Sequence, residues 1–136
     1  MAIDAKLSLE GRNYDVVECE YEFTQAIKEN RLPSGRPGGG LIHITILSPD
    51  DTDPAIHSWM KEKTEMKDGK IVFLVVSDSN KTTKKTLTFK DAYCVRLHEY
   101  FNKYSSNEML MRITLNASKI AFGGGGEVEF KSEYFV

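Results

Sequence analysis

Three histidines, two cysteines, a knot of aspartates and two glycine runs are the residues in this sequence whose types could do chemistry. A metal site needs ligands that converge on one point. His43, His57 and His98 show no HExxH or other paired spacing and fall on two strand-like segments and one helix-like segment, so no metal or cofactor is expected. Cys19 and Cys94 sit inside strand-like runs rather than in a CxxC pair, and thiols so placed are usually buried small hydrophobes. They point to a reduced, cytoplasmic protein and leave a disulfide between distant strands open. Asp50, Asp51 and Asp53 precede the helix-like segment, where capping and dipole compensation account for them without catalysis. Neither a GxSxG elbow nor a cysteine with a recognisable histidine partner is present, so an enzyme is not expected.

The glycine runs are Arg31-Leu32-Pro33-Ser34-Gly35-Arg36-Pro37-Gly38-Gly39-Gly40 and Gly123 to Gly126. Neither has the GxxxxGK[ST] spacing, and neither leads into a helix whose N-terminus could hold a phosphate. The second run reads as a hairpin connection. The first is far longer than a turn between two strands requires, and a loop of about fifteen residues spans up to ~50 Å when extended. Its prolines restrict the conformations lost on docking, and its glycines let backbone lie close to another surface.

Period-two alternation, the mark of strands with one buried face, positions these residues. Ile3, Ala5, Leu7 and Leu9 share one side of a first strand. After a turn at Gly11 to Asn13, Val17, Cys19, Tyr21 and Phe23 share one side of a second. Glu18, Glu20 and Glu22 occupy its other side; they read first as a solvated face balanced by lysines across the sheet, second as a docking stripe for a basic partner. Ile42, Ile44 and Ile46 mark a third strand.

The period then changes. Asp53-Pro54 is a good helix start, and Ile56, Trp59 and Met60 form the core stripe of a short helix over about 54–65. Asp68-Gly69 suits a tight turn. The run Ile71 to Ser77 is apolar on both faces, which predicts a central strand or one covered by the helix. A long strand runs from Thr86 to about Phe101, with a bulge or bend at Asp91. Further strands follow at 109–115, 119–122 and the C-terminal residues. About eight strands with one helix predict an all-β domain, closed or nearly closed as a barrel or folded as a sandwich.

With 136 residues, 40% of them hydrophobic and 28% charged, the chain is expected to form a single domain over 1–136. Eighteen basic residues against twenty acidic ones leave a net charge of -2, which gives no footprint for nucleic acid. The amino terminus carries Asp4 and lacks the apolar stretch of a signal peptide or a membrane span.

Laid out this way, the chain resembles the type VI secretion tube proteins, the haemolysin-coregulated or Hcp family, in its TssD branch. The resemblance is carried, in order, by Cys19-x-Tyr21-x-Phe23-Thr24-Gln25, Gly39-Gly40-x-Ile42, Trp59-Met60 and Lys67-Asp68-Gly69-x-Ile71-x-Phe73. It continues through Leu87-x-Phe89-x-Asp91-Ala92-Tyr93-x-Val95 and Ile113-Thr114-Leu115-x-Ala117. The family's Gly-Arg-Pro-Ser element is replaced, by spacing, with Arg31-Leu32-Pro33-Ser34, and a literal Gly35-Arg36-Pro37 follows.

The resemblance implies a two-sheet β-barrel with a flanking helix, six copies forming a ring with a wide channel. Rings would stack inside a contractile sheath, tipped by a spike, and be ejected with effectors in the lumen. Export would need no signal peptide, the protein being cytoplasmic before assembly, and no fused toxin domain is expected. The loop at about 25–40 becomes the arm that contacts the adjacent ring, with Arg31 favoured by spacing and Arg36 by literal motif as its anchoring charge. A monomeric small-ligand-binding barrel with the loop as a lid is the alternative.

Overall fold

The computed structural model describes residues 2–23, 40–105, 108–123 and 128–131. Its strands are β1 (Ala2–Leu9), β2 (Arg12–Tyr21), β3 (Leu41–Leu47), β4 (Lys67–Val76), β5 (Thr82–Phe101), β6 (Met109–Phe122) and β7 (Val128–Lys131), with α1 (Ala55–Lys61) between β3 and β4. The β1–β2 connection is a two-residue turn in which Glu10 and Gly11 have φ of 50° and 80°. Positive φ at both positions matches the right-handed twist of the flanking strands.

All pairings are antiparallel, in the order β3-β2-β1-β4-β5-β6-β7, and β3 also pairs with β6. Six strands therefore close into a barrel. β7 takes the part of the β6 edge that β3 leaves free, Lys119 to Phe122. Because facing residues in register share a side, the inward set follows from alternation. Leu7, Leu9, Ile42, Ile44, Ile46, Ile71, Leu87, Phe89, Ile113 and Leu115 are nearly or wholly buried. Each such aliphatic or aromatic side chain contributes roughly 1.5–3 kcal/mol.

The helix lies against β5 and buries Ile56 and Trp59, whose indole N–H donates to the Glu65 carbonyl at 3.0 Å. Asp53 sets its start, accepting from the Ala55 N–H, from the Tyr14 hydroxyl at 2.9 Å and from Arg12. Lys67 is buried at the same end of the barrel and is held by Glu10 at 2.8 Å and Glu65 at 3.1 Å. Burial alone would lower its pKa, but the two carboxylates reverse that and raise it.

Several expectations need correction. The segments 109–115 and 119–122 are one strand, because Asn116 and Ala117 between them pair with Tyr93 and Ala92 of β5. Seven strands are thus described rather than eight. The helix is shorter than 54–65, and Met60 is 38% exposed rather than core. Val17 is 56% exposed: the register shifts between Val16 and Glu18, so an extra residue turns outward before Cys19 and Tyr21 resume the inward phase. Asp68 and Gly69 lie within β4 and form no turn. β4 is central, paired with β1 and β5 as one of its two readings expected, and the other reading fails, since α1 packs on β5 and no described element covers the outer face of β4. The long strand begins at Thr82, four residues before the expected start. One irregularity does fall at Asp91, which has φ of 51° and donates its N–H to Asp68, and a second, a register shift against β6 between Cys94 and Arg96, leaves Val95 exposed.

Gly69 is required for close approach. A Cβ there would stand 2.6 Å from Phe89 Cζ and 2.8 Å from the Ser8 carbonyl oxygen. Gly69→Ala should therefore destabilise the protein by about 1–3 kcal/mol, read from the denaturant midpoint; an unchanged midpoint would contradict this packing.

Tyr14 supplies a second prediction. Burial, then the hydrogen bond to Asp53, pushes its pKa up to about 12. Stability from a raised pKa is complete below the unfolded value near ~10 and is lost as pH climbs through the folded one. Asp53 runs oppositely. Burial raises its pKa, but hydrogen bonds from Tyr14, Ala55 and Arg12 outweigh burial and lower it. Its contribution is present above ~3.9 and is lost as pH falls through the lower folded value. Tyr14→Phe should cost about 1 kcal/mol at pH 7, with the gap to wild type narrowing between pH 10 and 12 in thermal melts. A gap that stays constant to pH 12 would contradict the assignment.

Candidate functional site

Of the ten residues singled out as the arm, Gly40 is described, and Arg31, Leu32, Pro33, Ser34, Gly35, Arg36, Pro37, Gly38 and Gly39 lie outside the described residues. What the structure defines is the ground on which the segment stands. Gly40 is buried with φ of 99°, a conformation that glycine adopts without strain. Its carbonyl accepts the Ala117 N–H at 2.6 Å, so the chain enters β3 already bonded to β6.

The other foot is aromatic. Phe23 stacks on Phe130 with centroids 4.0 Å apart and meets Phe122 edge-on at 6.0 Å, while Tyr21 lies 5.6 Å from Phe122. Lys85, exposed on β5, places its ammonium 5.3 Å from the Phe122 ring centre. Such ring pairs contribute about 0.5–1.5 kcal/mol each beyond burial. Both feet are therefore pinned to β6 and its neighbour β7. Phe122 immediately precedes the second glycine run and Phe130 lies four residues after it, a spacing that does not by itself mark them as partners of Phe23. Gly123, at φ of 89°, opens that run, and Gly124, Gly125 and Gly126 lie outside the described residues.

The groups considered for chemistry are dispersed. His43 Nδ1 is 3.1 Å from the Thr114 hydroxyl, His57 Nε2 is 3.1 Å from Glu99, and His98 lies beside Tyr100. Among the described residues, no three histidine, cysteine or acidic side chains are grouped to hold a metal. Both cysteines are free, and burial pushes each thiol up to about 11, away from the reactive thiolate. Asp50 accepts from the Thr52 hydroxyl and N–H, which lowers its pKa, and Asp53 serves the helix start.

The glutamate ladder is outward-facing, as expected, but lysines do not balance it across the sheet. Glu18 faces Thr45 and Glu20 faces His43 on β3. These four residues and Arg112 line a shallow hollow. The Arg112 guanidinium lies 5.8 Å from the Tyr100 ring centre. Neither Glu18 nor Glu20 makes an ion pair with another described residue.

Comparison with known proteins bears on this geometry. The family described as Hemolysin coregulated protein Hcp (TssD) matches over residues 1–131. Among solved structures, Hcp1 from Flavobacterium johnsoniae is similar at 32% identity and a TM-score of 0.77, covering 94% of this chain and 98% of that one. The secreted protein Hcp3 from Pseudomonas aeruginosa shares the fold at 14% identity and a TM-score of 0.69, covering 97% and 99% of the two chains. Hcp1 from Salmonella typhimurium does so at 13% identity and a TM-score of 0.68, covering 90% and 86%. No protein among those of curated function matches. The chain thus belongs to the Hcp (TssD) family, the tube proteins of type VI secretion.

Proposed function

We propose that this protein is the repeating subunit of a type VI secretion inner tube. Six copies form a ring around a channel, rings stack inside a contractile sheath, and contraction ejects the tube with its spike. The protein is cytoplasmic before assembly and leaves the cell without a signal peptide, and the lumen carries effector proteins. The observation that carries this reading is the near full-length likeness to Hcp1 of Flavobacterium johnsoniae.

The physical character of the barrel supports it. A tube subunit needs rigid walls and large contact surfaces rather than a reactive group. The interior is packed with side chains such as Ile44, Phe89 and Ile113, and the hollows found among the described residues are open surface features. A lidded ligand chamber gains no support from that arrangement. No helix among the described residues is long and apolar enough to cross a membrane.

The arm from Arg31 to Gly40 is the proposed contact with the adjacent ring. The described residues that flank it, Phe23 and Gly40, both lie at the end of the barrel that carries β7. Negative-stain images of the pure protein should show annular particles that stack into tubes as concentration rises; a strict monomer at high concentration would refute the tube reading. Replacing Pro33 and Pro37 with glycine should leave rings intact, shorten stacks severalfold and change folding stability by no more than about 1 kcal/mol. Unchanged stacking with a collapsed melting temperature would refute the arm.

A further inference from the structure

The outer faces of the barrel are not alike. On β4, Val72, Leu74 and Val76 alternate with inward Ile71, Phe73 and Val75, and Leu74 is 37% exposed. No described element packs over them. Lys70 on β4 and Lys84 on β5 border this apolar strip, are exposed, and make no ion pair with another described residue. On β1, Lys6 is already paired with Asp15, and exposed Asp4 stands directly across from Leu74. Two lysines against Asp4 leave the face apolar and net cationic.

The β2–β3 face has the opposite sign. Glu18 and Glu20 project from it without a lysine across the sheet, and Val17 and Leu41 stand exposed beside them. Arg112 of β6 lines the same hollow, with its guanidinium 5.8 Å from the Tyr100 ring centre, and is outnumbered by the two glutamates. In the closed order β1-β2-β3-β6-β5-β4, the pair β2–β3 is diametrically opposite the pair β4–β5.

We infer that these two faces are the two halves of one contact between copies of this chain, Lys70, Lys84 and Leu74 of one copy meeting Glu18, Glu20 and Val17 of the next. The inference rests on the tube reading and specifies the surfaces by which a ring closes. A two-fold dimer through β4 is disfavoured, because it would set Lys70 and Lys84 against their own copies. A two-fold dimer through β2 would oppose glutamates. Pairing unlike faces satisfies both, covers the apolar strip, and leaves a free face at each end of the pair. Faces on opposite sides of one body generate a head-to-tail series, which is a ring when the rotation closes. Unlike charges also steer encounter and suppress the wrong pairings.

Two charge-reversed chains test this: Glu18→Lys/Glu20→Lys, and Lys70→Glu/Lys84→Glu. All four positions are exposed, so circular dichroism should show both variants folded. Each variant alone presents two faces of like sign, and its ring population in sedimentation and native mass spectrometry should fall at least about tenfold below wild type. Mixed in equal amounts, the variants should assemble again into rings with strictly alternating subunits, visible by mass as even-numbered rings holding equal numbers of each. Rings from either variant alone at the wild-type level would overturn the inference, and so would a mixture that stays unassembled. A wild-type chain that forms no rings would instead overturn the tube reading beneath it.

Discussion

The pairing of β3 with β6 is the interaction on which the remaining structure depends. Leu41 to Leu47 lie in register with Asn116 to Leu110, and the seam is extended at both ends, by Ala117 N–H to the Gly40 carbonyl and by Ser48 N–H to the Met109 carbonyl at 2.8 Å. Without it, β3 would be an edge strand offering a row of unpaired backbone groups to any neighbouring chain. With it, Ile42, Ile44 and Ile46 are fully buried and the sheet closes. Closure also redirects association. The six closed strands turn side chains rather than backbone edges toward the outside, where Glu18, Glu20, Lys70 and Lys84 stand without an ion pair to another described residue.

The seam orders the two ends of the barrel differently. At one end, α1 lies on β5, with Asp53 tied to Arg12 and Tyr14 and with Glu99 accepting from Ser48 beside His57. The Ser48 hydrogen bond, against opposing burial, and the nearby His57 hold the Glu99 carboxyl below its usual range. These polar ties join segments far apart in sequence and fix the helix without a large helix–strand interface. At the other end the fasteners are aromatic, and they join Phe23, just past β2, to β6 and β7.

Much of the fold was legible because burial has a period. Ile42, Ile44 and Ile46, the helix stripe of Ile56 and Trp59, and the interruption at Asp91 all follow from local patterning. The failures are long-range. Val17 is an ordinary strand residue whose outward turn is decided by a register shift against β3. Asp68-Gly69 has the chemistry of a turn, but Gly69 is there because Phe89 and the Ser8 carbonyl crowd it from two other strands. Of the candidate site, the backbone at Gly40, with φ of 99°, fits the glycine that stands there. The aromatic cluster was not legible, because Phe23, Phe122 and Phe130 meet through the β2–β3–β6–β7 pairing and not through spacing. The balancing lysines expected opposite Glu18 and Glu20 failed for the same reason: the strand that faces them supplies Thr45 and His43.

Native-state hydrogen exchange of the backbone amides in β3 tests the closed barrel most directly. In a closed barrel, β3 has a partner on each side, so amides directed toward β6 should exchange as slowly as those directed toward β2, through opening close to global unfolding. Rapid exchange of the β6-directed amides, with the β2-directed set still protected, would mean an open sheet with a free β3 edge and would contradict the account.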